Sequence, residues 1–190
     1  MDQGLAAILG ATVGAVGTGG VGLIAALLTR SQHRTQIRAE HLRLIREPRK
    51  GSYVAYASAA RAEYDRLSDA VNHVETALEA TADHARRQAR EQVYSILRES
   101  TNSYRELRHL QAQVHVEGPM PIIEKAIDVL SCLTAFDGSI INVVRAQMEG
   151  LPTESLYEEM QDRKRAAHKA YLLFLYAATD ALSADGLGES

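Results

Sequence analysis

Hydrophobic and polar residues are distributed along this chain in two different ways. Residues 4–29, GLAAILGATVGAVGTGGVGLIAALLT, form a run of 26 positions without one ionisable side chain, whereas from Ser52 onward apolar residues recur every three or four positions among charged ones. As a helix rising ~1.5 Å per residue the first pattern is ~39 Å long, more than the ~30 Å hydrocarbon core of a bilayer. It predicts a transmembrane anchor at 1–29. The second is the period of amphipathic helices and predicts a polar, helical domain over 52–183.

Within that domain the spacing predicts four helices. Tyr53, Tyr56, Ala60, Tyr64, Leu67, Val71, Val74 and Leu78 form a heptad-like seam for the first, and a weak break follows near Ala80 to Asp83, where Thr81 or Asp83 can cap. Ala89, Val93, Ile96 or Leu97, Tyr104, Leu107, Leu110 and Val114 line the second. Glu117-Gly118-Pro119 is the clearest punctuation, because glycine closes a helix and proline suits the first turn of the next. The third helix buries Ile122, Ile123, Ala126, Val129, Leu130, Leu133, Phe136, Ile140, Val143, Val144 and Met148, and stops at Gly150-Leu151-Pro152. Ser155 with Glu158 offers a capping box for the fourth. Its stripe is Leu156, Met160, Ala167, Tyr171, Phe174, Leu175, Ala178 and Leu182, before a disordered tail over 184–190. Four such helices with short connections pack most simply as an antiparallel up-down bundle. The expected class is all-α: an N-terminal transmembrane helix, a basic juxtamembrane helix and linker over 30–51, in which Pro48 ends the helix and Gly51-Ser52 offers a turn and an N-cap, and the bundle.

Composition agrees: Trp is absent, Phe occurs twice and Pro four times among 190 residues, which favours helix over sheet. The net charge of -3 conceals an asymmetry. Residues 1–50 carry seven basic groups, Arg30, Arg34, Arg38, Arg43, Arg46, Arg49 and Lys50, against three acidic ones, while the rest of the chain is net acidic. Basic residues beside one end of a span mark its cytoplasmic side, so the expected topology is N-terminus outside and C-terminal domain in the cytoplasm of a single-pass cell-membrane protein. A cleaved signal peptide fits poorly, since the run has no basic n-region and about twice the length of an h-region. The same basic block could hold anionic lipid, but topology alone accounts for it. Nucleic acid is not expected as a partner, because the domain is acidic and its tyrosines lie on buried seams.

Within the anchor, Gly17-Thr18-Gly19-Gly20-Val21-Gly22 spells G-x-G-x-x-G. A dinucleotide site needs a strand before that turn and a parallel sheet to set the phosphate, and every strong periodicity downstream is helical. The glycines have a better account: Gly10, Gly14, Thr18 and Gly22 recur at i+4, a row that lets helix backbones approach closely in lipid. Homo-oligomerisation through the span follows as an expectation.

No catalytic motif emerges. Glu106-Leu107-Arg108-His109 is a single Glu-x-x-His, where di-iron bundles use two copies with two further carboxylates, and its seam neighbours turn it toward the edge or solvent. The lone Cys132, among Ile, Val and Leu, reads as an inert small core residue. No metal and no cofactor is expected.

The start Met1-Asp2-Gln3-Gly4-Leu5-Ala6-Ala7, the Gly/Ala anchor, the Arg-rich exit and the turn Val114-His115-Val116-Glu117-Gly118-Pro119 resemble a type of uncharacterised actinobacterial single-pass membrane protein. That resemblance implies an N-terminal span and a helical cytosolic domain, and no site. The expected role is a non-enzymatic anchored bundle that makes contacts in a homo-oligomer or with an unknown protein partner. The alternative is a pore or disruptor assembled through the glycine-rich span, and the long polar helices, without a second apolar segment, favour the first.

Overall fold

The computed structural model describes residues 47–184, all of them in helices or short connections. Gly10, Gly14, Thr18, Gly22, Arg30, Arg34, Arg38, Arg43 and Arg46 lie outside the described residues. Helix α1 covers 47–79, α2 Asp83–Glu117, α3 Met120–Glu149 and α4 Glu154–Ala184.

Cross-helix contacts fix their directions. Arg49 and Ser52, early in α1, meet Glu117 at the end of α2, and Arg66 meets Ser103 further along, so α1 and α2 are antiparallel. The Tyr104 hydroxyl of α2 donates to the Leu133 carbonyl of α3 at 3.0 Å, and the Tyr94 hydroxyl reaches Met148 sulfur, again antiparallel. Tyr56 stacks edge-on against Phe174 at 5.0 Å while Glu75 accepts from the Tyr157 hydroxyl, which runs α4 against α1. Tyr56 also donates to the Ala126 carbonyl at 2.6 Å and Tyr64 faces Phe136, so the diagonal pair α1 and α3 is parallel. Together the four helices form an antiparallel bundle.

The seams account for the packing. Tyr53, Tyr56, Ala60, Leu67, Val71 and Val74 of α1, Val93, Leu107 and Val114 of α2, most of the expected α3 stripe, and Met160, Ala167, Phe174 and Ala178 of α4 are buried in one core. Each large apolar side chain so buried contributes about 1.5–3 kcal/mol. Departures occur near the outer ends of the seams: Leu78 and Met148 are exposed, and Ala77 takes the buried position beside Leu78. Helix α3 is by length and composition apolar enough to cross a membrane, a second apolar segment where none is expected from the sequence. Its apolar face is covered instead by the other three helices.

Helix boundaries follow local chemistry, with three corrections. Residues 47–51 are helical and continuous with α1, not a turn after Pro48. Glycine inside a helix costs only about 1 kcal/mol, and burial of Ser52, Tyr53 and Tyr56 immediately beyond Gly51 outweighs it. The break over 80–82 is where the spacing weakens, but neither Thr81 nor Asp83 caps α2: Ala82 is the cap residue and makes no side-chain bond. The Arg86 guanidinium closes the break by donating to the Ala80 carbonyl at 2.8 Å and approaching Asp83 at 3.5 Å. Helix α4 begins at Glu154, so Ser155 falls in its first turn, and the Thr153 carbonyl accepts the Tyr157 N–H at 2.8 Å.

The two interhelical glycines solve different problems. Gly150 adopts φ 69°, the left-handed conformation that ends α3, and the Leu151 N–H beyond it bonds the Ala146 carbonyl at 2.9 Å. Gly118 is extended, and needs to be glycine for space: a Cβ there would lie 2.7 Å from both the Ile122 Cγ2 and the Val114 carbonyl oxygen. Gly138, inside α3, has nothing within 4 Å of its Cβ direction. Gly118→Ala should therefore destabilise the bundle by about 1–3 kcal/mol through overpacking, while Gly138→Ala stabilises it by about 0.5–1 kcal/mol through helix propensity. Urea unfolding of the two variants against the parent measures both signs.

Candidate functional site

The main concentration of chemistry in the bundle lies between α1, α2 and α3. Glu63 occupies the seam position between Ala60 and Leu67 and is 0% exposed. One of its oxygens accepts from Arg66 on the next turn, and the same Arg66 nitrogen reaches the Ser103 hydroxyl of α2. The other carboxylate oxygen is buried without a hydrogen-bond partner, as is Oδ1 of Asp137 on α3. Buried Ser100 adds a third orphaned oxygen on α2.

Electrostatics follow from that placement. Burial, with the Glu63 charge added, pushes the Asp137 carboxyl up from 3.8 to about 6. Tyr104 is raised well above its ordinary range by burial first and then by Asp137 and Glu63, partly offset by Arg66, so it stays a neutral hydroxyl on the Leu133 carbonyl. Tyr56 is raised in the same way by burial. This arrangement can store one proton near pH 6. It also pins three helices in register through polar contacts that any slip would break.

A second feature is an open groove of about 390 Å³ between α1 and α4. Tyr64 and His168 form its base, with ring centroids 5.5 Å apart, and Lys164 and Lys169 flank it. Nδ1 of His168 is buried without a partner, and so is Oγ of Ser68, one turn beyond Tyr64.

The residues singled out from the sequence are placed as follows. Arg49 donates from Nε to the Glu117 carbonyl at 2.6 Å, while Ser52 donates to the Glu117 carboxylate, so this member of the basic block ties the start of α1 to the end of α2. Lys50 is exposed, and so are Glu106 and His109. Cys132 is half-buried, and burial followed by the Asp128 charge raises its thiol, which lowers its thiolate population. Among the described residues no group of three or more His, Cys, Asp or Glu is arranged to hold a metal. Sequence reasoning passed over Glu63, between buried Ala60 and Leu67, and Ser100, midway between buried Val93 and Leu107, whereas it takes His168 for an exposed or boundary residue, and that residue is half-buried. Burial of a polar residue at a seam position was the available signal.

The chain matches no family model, no curated protein and no solved structure. Function has to be argued from the chain's own residues.

Folding raises the Asp137 pKa, so the native bundle binds the extra proton between about pH 4 and about pH 6 and loses stability as pH rises through that window. Asp137→Asn should match the parent at the acid end and exceed it above the window by about 1 kcal/mol, since solvent access screens the full ~3 kcal/mol that the shift represents. Denaturant titrations across the window test the sign. Arg66→Ala leaves Glu63 buried and uncompensated and should cost about 3 kcal/mol, whereas Arg61→Ala, which breaks an exposed pair with Asp65 at 2.9 Å, should cost under about 1 kcal/mol. Thermal unfolding at neutral pH separates the two.

Proposed function

We propose that this chain is a non-enzymatic, single-pass membrane protein whose cytosolic helical bundle makes protein contacts, either in a homo-oligomer or with a separate partner. The observation that carries the reading is the order of chemistry along the chain: 26 residues without an ionisable side chain, then Arg30 to Lys50, then a long helix tied into the bundle. The basic segment sets the N-terminus outside and the bundle inside. Arg49, at the end of that segment, supports the reading structurally, because its bond to Glu117 joins the chain leaving the basic block to the α2–α3 turn. The bundle works as an interaction body and the span as its tether. The row Gly10, Gly14, Thr18 and Gly22 is the surface through which spans pair, and the lipid bilayer is the other partner.

Two measurements on the full chain test this. A C-terminal tag should be protease-protected in intact cells and the protein should resist carbonate extraction; a soluble protein would overturn the reading. Gly14→Leu should weaken cross-linked dimer formation in membranes about tenfold, close to 1.4 kcal/mol. Unchanged dimer yield removes the glycine row from the interface, and ion leakage on expression would favour a pore.

A further inference from the structure

The α1–α4 groove combines features that the tether and bundle do not require. Over residues 51–190 the chain is net acidic, yet two of the three lysines in that stretch, Lys164 and Lys169, flank this one groove. Neither has an ion-pair partner among the described residues. Nearby guanidinium groups are already engaged: Arg165 is paired with Asp162, and Arg61 with Asp65 while lying 5.6 Å over the Tyr64 ring. The lysines are thus the cations left to receive an anion.

Between them the groove is aromatic and apolar. Tyr64 and Leu172 supply flat and aliphatic surface, and the His168 ring lies beside Tyr64 at 42°. The His168 Nδ1 is itself buried without a partner and shut off from solvent. The volume of about 390 Å³ lies within the range of small-molecule sites. Gln161 closes the far side, held by the Tyr157 hydroxyl at 3.0 Å.

We propose that this groove binds a small organic anion, with a phosphate or carboxylate head between Lys164 and Lys169 and a flat apolar body against Tyr64 and Leu172. Neither the head nor the body alone satisfies the site.

The test uses the full-length chain in nanodiscs and equilibrium dialysis corrected against empty nanodiscs. The probes are 2-naphthyl phosphate, neutral 2-naphthol and inorganic phosphate. Naphthyl phosphate should bind at least about tenfold more tightly than either part, as expected when two subsites act on one linked ligand. Lys164→Gln/Lys169→Gln should weaken it about tenfold, a loss near 1.4 kcal/mol, with Lys125→Gln on α3 leaving it unchanged. Absence of saturable binding, equal binding of naphthol, or equal affinity in the Lys164/Lys169 and Lys125 variants would each overturn the proposal. These results are independent of membrane topology.

Discussion

A buried carboxylate sits on the face that α1 turns toward the rest of the bundle, and the packing has to answer it. Glu63 is 0% exposed among Ala60, Leu67 and Ala70, so its charge requires a counter-charge and donors within reach. Arg66 supplies the charge from the next turn and extends to Ser103, which draws α2 alongside α1 at one register. Tyr104 then bonds the Leu133 carbonyl of α3, which brings Asp137 into the same neighbourhood. Apolar seams are permissive, because a helix can slide by one heptad and still bury leucine against valine. The polar set is not permissive, since a slip of α2 along α1 parts the Arg66 guanidinium from Ser103, and a slip of α3 parts the Tyr104 hydroxyl from the Leu133 carbonyl.

Helix identity was legible from spacing, and so was most of the core. Val71 and Val74, or Ile140 and Val143, follow the helical period and find the interior as expected, because apolar burial is additive and local. The break over 80–82 and the Gly118-Pro119 turn were legible for the same reason: weak periodicity and punctuation are local signals. What was not legible depended on partners far along the chain. Gly51 reads as a turn until Ser52 is seen reaching Glu117, 65 residues away. Glu63 looks like one more solvated charge until three helices close over it. The groove was hidden more completely, because Tyr64 and His168 are 104 positions apart and meet only through the antiparallel pairing of α1 and α4.

Gly118 shows how the bundle transmits order from one end. The turn it forms places Ile122 against Val114 and brings Tyr53 close by, so the α2–α3 connection packs onto the opening turns of α1. Arg49 and Ser52 add bonds from α1 to Glu117 immediately before that glycine. The same few residues therefore serve as connector, core and clamp. Chain arriving from the basic segment is engaged by the fold within its first described turn.

The first and last helices form a seam with a particular character. At one end Tyr56 and Phe174 close it with an aromatic edge contact, and at the other Glu75 gathers Tyr157 and Gln161. Between these fastenings the helices leave the groove at Tyr64 and His168, with orphaned polar atoms where the core should be best satisfied. A molecule seated there would stabilise α1 in its docked position by binding the closed seam alone. Because α1 also carries Arg49 and Ser52, any change in its docking is felt at their bonds to Glu117. The groove and the α2–α3 turn are thus connected through one helix.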